Sequence, residues 1–550
     1  MSTRRTLNLP GSSLVASLLI LAITFGKTEL IAGEVLHNGI ELPDEWPPKS
    51  APFDSDKPRV PPYLAIPPAV IPIDVGRQLF VDDFLIERTT LERKFHQPAW
   101  HPNTPVLTAE TSFERHGDRN LPFAAPFSDG VWYDPREQVF KMWYLGGSGI
   151  YFCYATSQDG LKWNRPNLNQ LYRDSNVLKI EPIQRDSSTV WLDLDDPDPA
   201  RRFKMIYFRS KLFTRFSADG IRWSDPVIVY ETGDRTTLFY NPFRKVWVYS
   251  VRASRRGIGR CRYYAETKDL SVPAFTEQGG LFPWACADDL DRVPGTTYVG
   301  DLPDLYNLDA TPYESLMLGL FVIHSKVAEG NRPKINQVTL GYSRDGFHWH
   351  RPDRRPFLNV SDDATAWNYG NVQSAGGGCL VVGDQLWFYC SGRNSRKESD
   401  DGSGGSTGLA VLRRDGFASL SAGEAGGIVT TRPVRFSGKH LFVNVATAKG
   451  RLQAEIVDES GRAIEPFTLG NSTPVAVDST SVPVRWRGAE DLSSVSGKNV
   501  KLRFHLASGE LYSFWVSPDE SGASGGYVAA GGPGYDGHRD TVGRAALKQR

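Results

Sequence analysis

The chain has 550 residues, and its 63 Lys and Arg balance its 63 Asp and Glu, so the formal net charge is zero. A neutral balance excludes the strong basic field with which proteins recruit nucleic acid or an anionic membrane. The length allows more than one domain and a large core. With 52 glycines, 37 prolines and 11% aromatic residues, the many short alternating stretches favour an all-β chain.

The N-terminus has the pattern of a secretory signal peptide, which we assign to residues 1–33. Arg4 and Arg5 precede an apolar run at 14–25, and small residues follow at Ala32-Gly33. The run is short for a membrane span, so we expect a secreted or periplasmic protein without stable membrane insertion after signal cleavage. An uncleaved anchor is the alternative. Proline-rich residues 34–74 are predicted to be an extended lead-in.

One strand-turn-strand pattern occurs five times within residues 75–420. Its apolar middle strand reads FKMWYLG at 140–146 and recurs at 203–208, 246–251, 316–321 and 386–390. A unit of short strands that recurs every few tens of residues is typical of a propeller. The sequence therefore predicts a five-bladed β-propeller. The earlier strand Gln78–Val81 is expected to complete the last blade and lock the ring.

The pattern changes after Leu420. Alternating strands separated by turn clusters follow at 441–446, 452–458, 482–486, 500–506 and 511–516. They predict a separate β-sandwich over residues 426–518. Residues 519–550 are rich in Gly and Ser and are predicted to be a disordered tail.

Asp-Gly turns follow the third strand of several units. Asp159, Asp219 and Asp345 lie in close copies of this turn, and Asp269 and Asp415 lie in degraded copies. In such turns aspartate accepts hydrogen bonds from the backbone and glycine supplies the unusual dihedral angle. We therefore interpret these aspartates as structural. The tryptophans that follow them are expected to pack between blades: Trp163, Trp223 and Trp349.

Three innermost strands carry an aspartate near their start, namely Asp129, Asp186 and Asp234. Innermost strands line the channel of a propeller, so these carboxylates are predicted to face one pit. Three carboxylates suit glycoside cleavage, because one can act as base or nucleophile, one can stabilise the transition state and one can protonate the leaving oxygen. The alternative is that each aspartate only caps a strand.

The fourth unit offers further carboxyl groups that could replace Asp234 as the acid. We include Asp304 among the catalytic candidates, and Asp301, Asp309 and Glu314 lie near it in the sequence.

Basic and aromatic residues are expected on the same face as the carboxylates. Three arginines and one histidine lie at or near the ends of middle strands: Arg209, Arg252, Arg393 and His324. They would either pair with neighbouring aspartates or bind an anionic glycan through charge-assisted hydrogen bonds. Trp132 and Trp367 would either stack on sugar rings or pack in the core.

The five cysteines match no zinc-binding spacing, so no metal site and no cofactor is predicted. A disulfide is possible in an exported protein, but the sequence does not identify the pair.

With these residues placed, residues 75–516 resemble the five-bladed propeller glycoside hydrolases of the family 32 and family 43 type. The arrangement is closest to secreted family-32-like proteins with a C-terminal β-sandwich. In that resemblance Asp129 within SDGVWYDP matches the base or nucleophile, and Arg185-Asp186 is similar to the transition-state stabiliser motif. The nearest match to the general-acid motif is DLPD at 301–304, with aspartate in place of glutamate.

The resemblance and the residues together predict a secreted glycoside hydrolase with a carbohydrate substrate. Three alternatives stay open: a non-catalytic carbohydrate-binding protein, a glycoside phosphorylase in which the basic rim holds phosphate, and a structural cell-surface protein.

Overall fold

A computed structural model describes residues 33–48, 57–115, 122–147, 151–180, 187–255, 258–276, 279–294, 298, 302–325, 335–394 and 404–548. This part of the chain is nearly all β. Its short helices are Pro62–Ala65, Ser112–Arg115, Pro199–Arg201, Asp289–Asp291 and Gly543–Lys548. None of the helices within these ranges is long and apolar enough to cross a bilayer. Of the predicted signal peptide, residues 1–32 lie outside the described residues.

We group the strands from Ala124 to Arg413 into five successive units, numbered 1 to 5, each built mainly of antiparallel strands; a parallel pair between Asn336 and Asn371 joins units 4 and 5 in one sheet. Unit 1 contains Ala124–Asp134, Val139–Gly146 and Tyr151–Ser157. Unit 2 contains Ser188–Leu192, Phe203–Arg209, Lys211–Ser217 and Val227–Tyr230. Unit 3 contains Thr237–Asn241, Val246–Arg255, Gly259–Thr267 and Phe282–Ala285. Unit 4 contains Asp304–Glu314, Leu316–Ser325 and Ile335–Ser343. Unit 5 contains Asn371–Ser374, Leu380–Val382, Gln385–Arg393 and Gly405–Arg413.

An N-terminal strand completes unit 5, but it is not the strand that the sequence predicts. Ala99–Trp100 pairs with Gly405–Arg413 as the outermost strand. Gln78–Leu79 pairs instead with Gly509–Ser517, and the expectation that Gln78–Val81 would lock the ring is wrong. The cause is packing, since the Phe80 ring lies 5.6 Å from that of Phe514 in a different core.

Two further sheets share that core. One sheet contains, in spatial order, Asp478–Pro483, His440–Ala446, Gly509–Ser517, Ala418–Ala422 and Glu92–Phe95. The other contains Arg451–Val457, Lys501–Ala507, Gly427–Thr431 and Ile86–Thr89. Ile71–Pro72 pairs with Val434–Arg435, and Tyr527–Val528 pairs with the first strand of unit 4. Rings from the two sheets meet at Phe504 and Phe514, 5.3 Å apart, so both sheets bury their apolar faces together.

The Asp-Gly turns have the structural role that the sequence predicts. Oδ1 of Asp159 accepts hydrogen bonds from the backbone N–H groups of Leu161 and Lys162, both at 2.8 Å. Asp219 and Asp345 make the same pair of contacts in their own turns.

Each unit's turn also contacts the preceding unit, and the contacts run in one direction from unit to unit. In each contact the turn of one unit accepts a hydrogen bond from the unit before it. For the turns of units 1 to 5 in order, the bonds are Tyr389 Oη to Gly160 O (2.6 Å), Trp143 Nε1 to Gly220 O (2.7 Å), Arg201 Nη2 to Asp269 Oδ1 (2.9 Å), Trp284 Nε1 to Phe347 O (2.7 Å) and Tyr313 Oη to Asp415 Oδ1 (2.5 Å). The first of these contacts links unit 1 to unit 5.

The C-terminal segment, for which the composition predicts disorder, contains the strand Tyr527–Val528 and the helix Gly543–Lys548. The segment touches all five units. In units 1, 2 and 5 the contacts are hydrogen bonds: Tyr133 N to Ala530 O (3.0 Å), Leu194 N to His538 Nε2 (2.7 Å) and Val381 N to Gly531 O (2.9 Å). In unit 3 the Phe243 ring lies 5.2 Å from that of Tyr527, and in unit 4 Tyr313 pairs with Val528. Its glycines allow this close approach, since a Cβ on Gly532 would lie 1.7 Å from Val381 O.

One disulfide in unit 3 joins Cys261, in the strand Gly259–Thr267, to Cys286, the residue after the strand Phe282–Ala285. The other cysteines of the described chain are buried thiols at Cys153, Cys379 and Cys390. The structure thus identifies the pair that the sequence leaves open.

Candidate functional site

The first strands of the five units meet around one buried group of polar side chains, which we call the central cluster. It contains Ser128 and Asp129 from unit 1, Ser188 from unit 2, Arg235 before the first strand of unit 3, Asn307 and Asp309 from unit 4, and Ser374 from unit 5. These strands adjoin from unit 1 to unit 4 and from unit 5 back to unit 1. The hydrogen bond from Ser374 Oγ to Asp309 Oδ2 joins units 4 and 5.

Asp129 is placed by an irregular stretch of the first strand of unit 1. The register with the neighbouring strand shifts between Ala125 and Gly130, and Ser128 has a φ of 65°. A positive φ at a residue other than glycine is an uncommon conformation that is found at functional sites. Asp129 is 0% exposed, and Ser188 Oγ donates a hydrogen bond to its Oδ1. Two units therefore hold the carboxylate that the sequence proposes as base or nucleophile.

Asp309 is the second buried carboxyl group of the cluster, at 4% exposure. Its Oδ2 accepts hydrogen bonds from Ser374 Oγ, from Asn307 Nδ2 (3.0 Å) and from Ser128 Oγ (3.2 Å). Its Oδ1 is buried, with no hydrogen-bond partner among the described residues. Burial raises the pKa of Asp309 and outweighs the lowering by the Ser374 hydrogen bond and the Arg235 charge. Asp309 is therefore suited to carry a proton.

Arg235 connects three units, and sequence reasoning missed it. Arg235 lies just before the first strand of unit 3 and has a φ of 60°, and its side chain is 0% exposed. Nη2 donates to Ser128 Oγ (2.9 Å) and to Asn307 Oδ1 (3.1 Å). The guanidinium carbon lies 3.8 Å from the centre of the Phe127 ring, a cation-π contact. No sequence motif marks Arg235, because the side chains to which its guanidinium group donates hydrogen bonds, Ser128 and Asn307, are 107 and 72 residues away in the chain.

A second buried arginine, Arg262, contacts the backbone of Arg235. Arg262 Nη2 donates to the carbonyl oxygen of Arg235 (2.6 Å), and its Nε donates to Ser250 Oγ (2.9 Å). Burial, reinforced by the nearby charge of Arg235, lowers the pKa of Arg262 to about 9. The cluster thus combines two carboxyl groups and two guanidinium groups in a water-poor environment, where electrostatic interactions are strong.

Asp234 lies closer to solvent and is held by arginines. Arg252 Nη1 forms an ion pair with its Oδ1, and Arg260 Nη1 lies 3.8 Å from the same atom. A carboxylate placed between two guanidinium groups suits an ion pair better than it suits a proton donor. For Arg252 this is the pairing that the sequence analysis gives as the alternative to glycan binding.

Asp304 and His324 form one pair across adjacent strands of unit 4. Asp304 Oδ1 accepts a hydrogen bond from the backbone N–H of Arg260 (2.8 Å). The His324 ring stacks on Tyr306 at 5.3 Å, and its Nδ1 contacts Asn336 Oδ1. The Arg260 guanidinium lies 4.9 Å from the centre of the Tyr306 ring, so this pair adjoins Asp234.

Arg393 reaches the cluster from unit 5 through aromatic rings. Its guanidinium carbon lies 4.7 Å from the Phe127 ring centre and 4.9 Å from that of Phe123. Phe127 therefore contacts both Arg393 and Arg235. Arg209, in contrast, is exposed at the end of its strand.

The two tryptophans proposed for sugar stacking pack against protein. Trp132 is 1% exposed, donates from Nε1 to Val190 O (2.9 Å) and lies 4.7 Å from the Trp191 ring, so it belongs to the core between units 1 and 2. Trp367 is half-buried, 5.3 Å from the Trp100 ring. A Cβ at Gly392 or Gly408 would come within 2.0 Å of the Trp367 ring, so the ring covers both glycines. Burial leaves Trp132 no face for a sugar ring.

Three residues of the predicted site, Arg185, Asp186 and Asp301, lie outside the described residues. Within the described ranges, His, Cys, Asp and Glu side chains form no group of three or more that could hold a metal ion.

Comparisons with known proteins find similar folds only among solved structures. No family model matches the sequence, and no curated protein matches it. An N-acetylgalactosamine deacetylase from F. plautii, in complex with blood group B trisaccharide, covers 59% of this chain and 96% of its own, at 14% identity and a TM-score of 0.40. A thermostable family-43 glycoside hydrolase covers 57% and 96%, at 11% identity and a TM-score of 0.37.

A third neighbour comes from the GH130 family of mannoside phosphorylases. That family contains glycoside hydrolases that target β-1,2 mannosidic linkages in Candida mannan. The neighbour covers 61% of this chain and 96% of its own, at 12% identity and a TM-score of 0.39. Several structural neighbours are thus glycoside hydrolases of the propeller type, at low identity. Because these TM-scores lie below 0.5, the function has to be argued from the chain's own residues.

Proposed function

We propose that this chain is an exported glycoside hydrolase whose units 1 to 5 form a five-bladed β-propeller, joined to a β-sandwich. The one-directional turn contacts that link unit 1 back to unit 5 support five blades in a closed ring. The shared core of the two remaining sheets supports the sandwich. The signal-like sequence at residues 1–33 supports export.

The observation that carries the enzymatic proposal is the pair of buried carboxyl groups in the central cluster. Burial raises the pKa of Asp309, and Asp129 lies beside Ser128, which donates to Asp309 Oδ2 at 3.2 Å. Glycoside cleavage requires one protonated and one ionised carboxyl group whose surroundings differ. Because burial raises its pKa, Asp309 is proposed as the protonated carboxyl group.

In the proposed mechanism Asp309 gives its proton to the glycosidic oxygen as the bond to the anomeric carbon breaks. Asp129 either removes a proton from the attacking water or attacks the anomeric carbon itself. Asp186 keeps the transition-state-stabilising role that the sequence suggests. Asp234 and Asp304 become positioning residues, because arginines hold Asp234 and Asp304 binds the backbone of Arg260.

An anionic glycan is the proposed substrate class. Arg260 and Arg393 contact the Tyr306 and Phe127 rings, which also contact Arg235 of the cluster, and guanidinium groups bind carboxylate and sulfate groups through paired hydrogen bonds. His324 is proposed to contact the same substrate from unit 4.

The test is the activity of the Asp129→Asn and Asp309→Asn variants on a panel of neutral and acidic glycans, with Asp174→Asn as the control. The Asp174 side chain is 74% exposed, so its loss removes a surface charge without touching the cluster. We expect each cluster variant to lose at least about a hundredfold in kcat/KM, the usual contribution of a general acid or base. Folded variants with near-full activity would contradict the proposal.

A non-catalytic carbohydrate-binding protein is the second candidate, and the complete burial of Asp129 favours it. The same panel separates the two. Glycan binding by the unsubstituted protein, with no release of sugar, would identify a binding protein.

A further inference from the structure

A large cleft lies between unit 5 and the proposed sandwich. Its volume is about 830 Å³, in the range of pockets that hold small ligands, and such pockets are common at domain interfaces. Unit 5 contributes its outermost strand Ala99–Trp100, residues 384–385 and residues 411–413. The sandwich contributes the start of the strand Asp478–Pro483. A ligand in this cleft would therefore contact both domains.

The arginine in the wall of the cleft is bound to protein. Arg413 donates from Nη1 to Asp478 Oδ1 (2.6 Å) and from Nε to Asn444 Oδ1 (2.9 Å). Its Nη2 donates to Val445 O (3.0 Å), and the guanidinium carbon lies 4.8 Å from the centre of the Tyr512 ring. All three nitrogens thus have protein partners, so Arg413 joins the sandwich to unit 5 and is poorly placed to bind an anionic ligand.

Two exposed carboxylates lie close together in the cleft. Asp384, of unit 5, accepts a hydrogen bond at Oδ1 from Thr480 Oγ1. Thr480 is two residues beyond Asp478 in one strand, so their side chains point to the same face and Asp384 adjoins Asp478. Each carboxylate is held through one oxygen, and both side chains are exposed, so the second oxygens can accept from a ligand. Neighbouring carboxylate acceptors suit the adjacent hydroxyl groups of a sugar.

Trp100 supplies a flat ring in the wall from unit 5. The residue pairs with Ala410 in the outermost strand of the unit, and its side chain is half-buried. The ring meets that of Trp367 edge to face, with 5.3 Å between the centres, which fixes its orientation. An indole ring that is held in place and partly exposed can pack against the C–H face of a pyranose ring.

Hydrogen-bond donors lie next to this ring. His101 Nδ1 accepts from the backbone N–H of Asn103 (3.1 Å), so the neutral imidazole carries its proton on Nε2 and can donate it to a ligand. Gln385 Oε1 accepts from Trp387 Nε1 (3.1 Å), which directs the amide NH2 of Gln385 away from that bond. The His101 ring lies 5.9 Å from the Trp387 ring, so both donors adjoin one tryptophan.

We propose that this cleft is a second binding site, for a neutral saccharide. Trp100 packs against a pyranose ring, and the carboxylates of Asp384 and Asp478 accept hydrogen bonds from its hydroxyl groups. His101 Nε2 and the Gln385 amide donate to the sugar oxygens. An anionic sugar is disfavoured, because the carboxylates repel it and Arg413 is bound to protein. The site requires no reaction in the central cluster and would attach the protein to a glycan.

The experiment is isothermal titration calorimetry of the full chain with cellotriose, mannotriose and trigalacturonic acid. We expect at least one of the two neutral sugars to bind, and trigalacturonic acid to bind at least about tenfold more weakly. Asp384→Ala should weaken binding of the neutral sugar about tenfold, because a hydrogen bond to a charged group is lost. The matched control, Asp174→Ala, removes an aspartate that is 74% exposed and lies outside the cleft, and it should bind normally.

Trp100 provides an independent variant. Trp100→Ala should also lose about tenfold in affinity, whereas Trp100→Phe should lose less, because a phenyl ring keeps a flat face for the sugar. Should Trp100→Ala fail to fold, the exposed Asp384 still decides the outcome. Unchanged binding in Asp384→Ala would overturn the proposal, as would equal binding of trigalacturonic acid or no binding of either neutral sugar.

Asp129→Asn separates this proposal from the proposed enzyme function. A variant that loses catalysis but retains the calorimetric signal supports a separate site. Loss of the signal in Asp129→Asn, with retention in Asp384→Ala, would place the ligand in the central cluster and overturn the proposal. Binding of a neutral sugar by a protein that releases no sugar from any glycan would contradict the enzyme function and leave the cleft site supported.

Discussion

His538 accepts a hydrogen bond at Nε2 from the backbone N–H of Leu194, at 2.7 Å, and so fixes the C-terminal segment to unit 2. A ring nitrogen that accepts is unprotonated, and burial lowers the pKa of His538 below its usual 6.5. Asp193, Asp195, Lys204 and Arg202 are the charged groups that face it. The contact therefore depends on a neutral histidine.

The first prediction is that acidification weakens this contact. Because its folded pKa lies below 6.5, the unfolded chain binds more protons there, and stability falls as the pH drops below 6.5. His37, whose pKa burial lowers to about 4, adds to the loss in the same direction. In His538→Gln, where an amide oxygen can still accept, the fall in Tm between about pH 8 and about pH 5 should be smaller. Parallel Tm profiles for the two proteins would contradict this.

Much of the repeated architecture could be predicted from the sequence, because it depends on local patterns. The predicted middle strands at 203–208 and 246–251 lie inside the observed strands Phe203–Arg209 and Val246–Arg255. The Asp-Gly turns form as expected because the aspartate and its backbone partners are two or three residues apart. Interactions between residues this close in the chain can be recognised from the sequence alone.

The rest could not be predicted because it depends on partners far apart in the chain. Ser128 and Asp309 are 181 residues apart, and Leu194 and His538 are 344 apart. The tail appeared disordered in composition, yet its glycines serve close packing, since a Cβ on Gly532 would lie 1.7 Å from Val381 O. Asp129 and Asp234 share a predicted position at the start of a strand, but only Asp129 is buried in the central cluster.

The second prediction concerns a buried ion pair between Arg77, just before the strand Gln78–Leu79, and Asp415, just after the last strand of unit 5. Arg77 Nη1 lies 3.0 Å from Asp415 Oδ2, and the two side chains are 1% and 0% exposed. Burial would raise the pKa of Asp415, but the charges of Arg77 and Arg414 outweigh it and hold the pKa at about 2. Arg77→Met leaves a buried carboxylate without its main partner, at a cost of about 3–5 kcal/mol in the free energy of unfolding.

Chemical denaturation measures this cost. Arg173→Met is the control, since Arg173 is 93% exposed and its pair with Asp174 should contribute less than about 1 kcal/mol. Equal effects of the two substitutions would show that the buried pair does not stabilise the fold.

The third prediction separates backbone strain from a steric clash at one turn. Gly220 and Gly497 have almost the same φ, 77° and 74°, so alanine at either position costs about 1–2 kcal/mol of backbone strain. A Cβ at Gly220 would lie 2.4 Å from Trp143, whereas one at Gly497 would have no atom within 4 Å. Gly220→Ala should therefore destabilise the protein by about 1–3 kcal/mol more than Gly497→Ala, through overpacking between units 1 and 2. Urea denaturation checks the difference, and equal costs would mean that the turn does not press against Trp143.

The last prediction concerns the pH dependence of catalysis if Asp309 is the acid. A general acid works only while protonated, so kcat/KM should fall as the pH rises through the pKa of Asp309. The Ser374 hydrogen bond lowers that pKa, and the Ser374→Ala variant should therefore raise it and move the alkaline limb of the profile to higher pH. Ser391→Ala is the control, because the buried Ser391 hydroxyl has no hydrogen-bond partner among the described residues. An alkaline limb that stays in place in Ser374→Ala, or moves to lower pH, would assign the proton to another group.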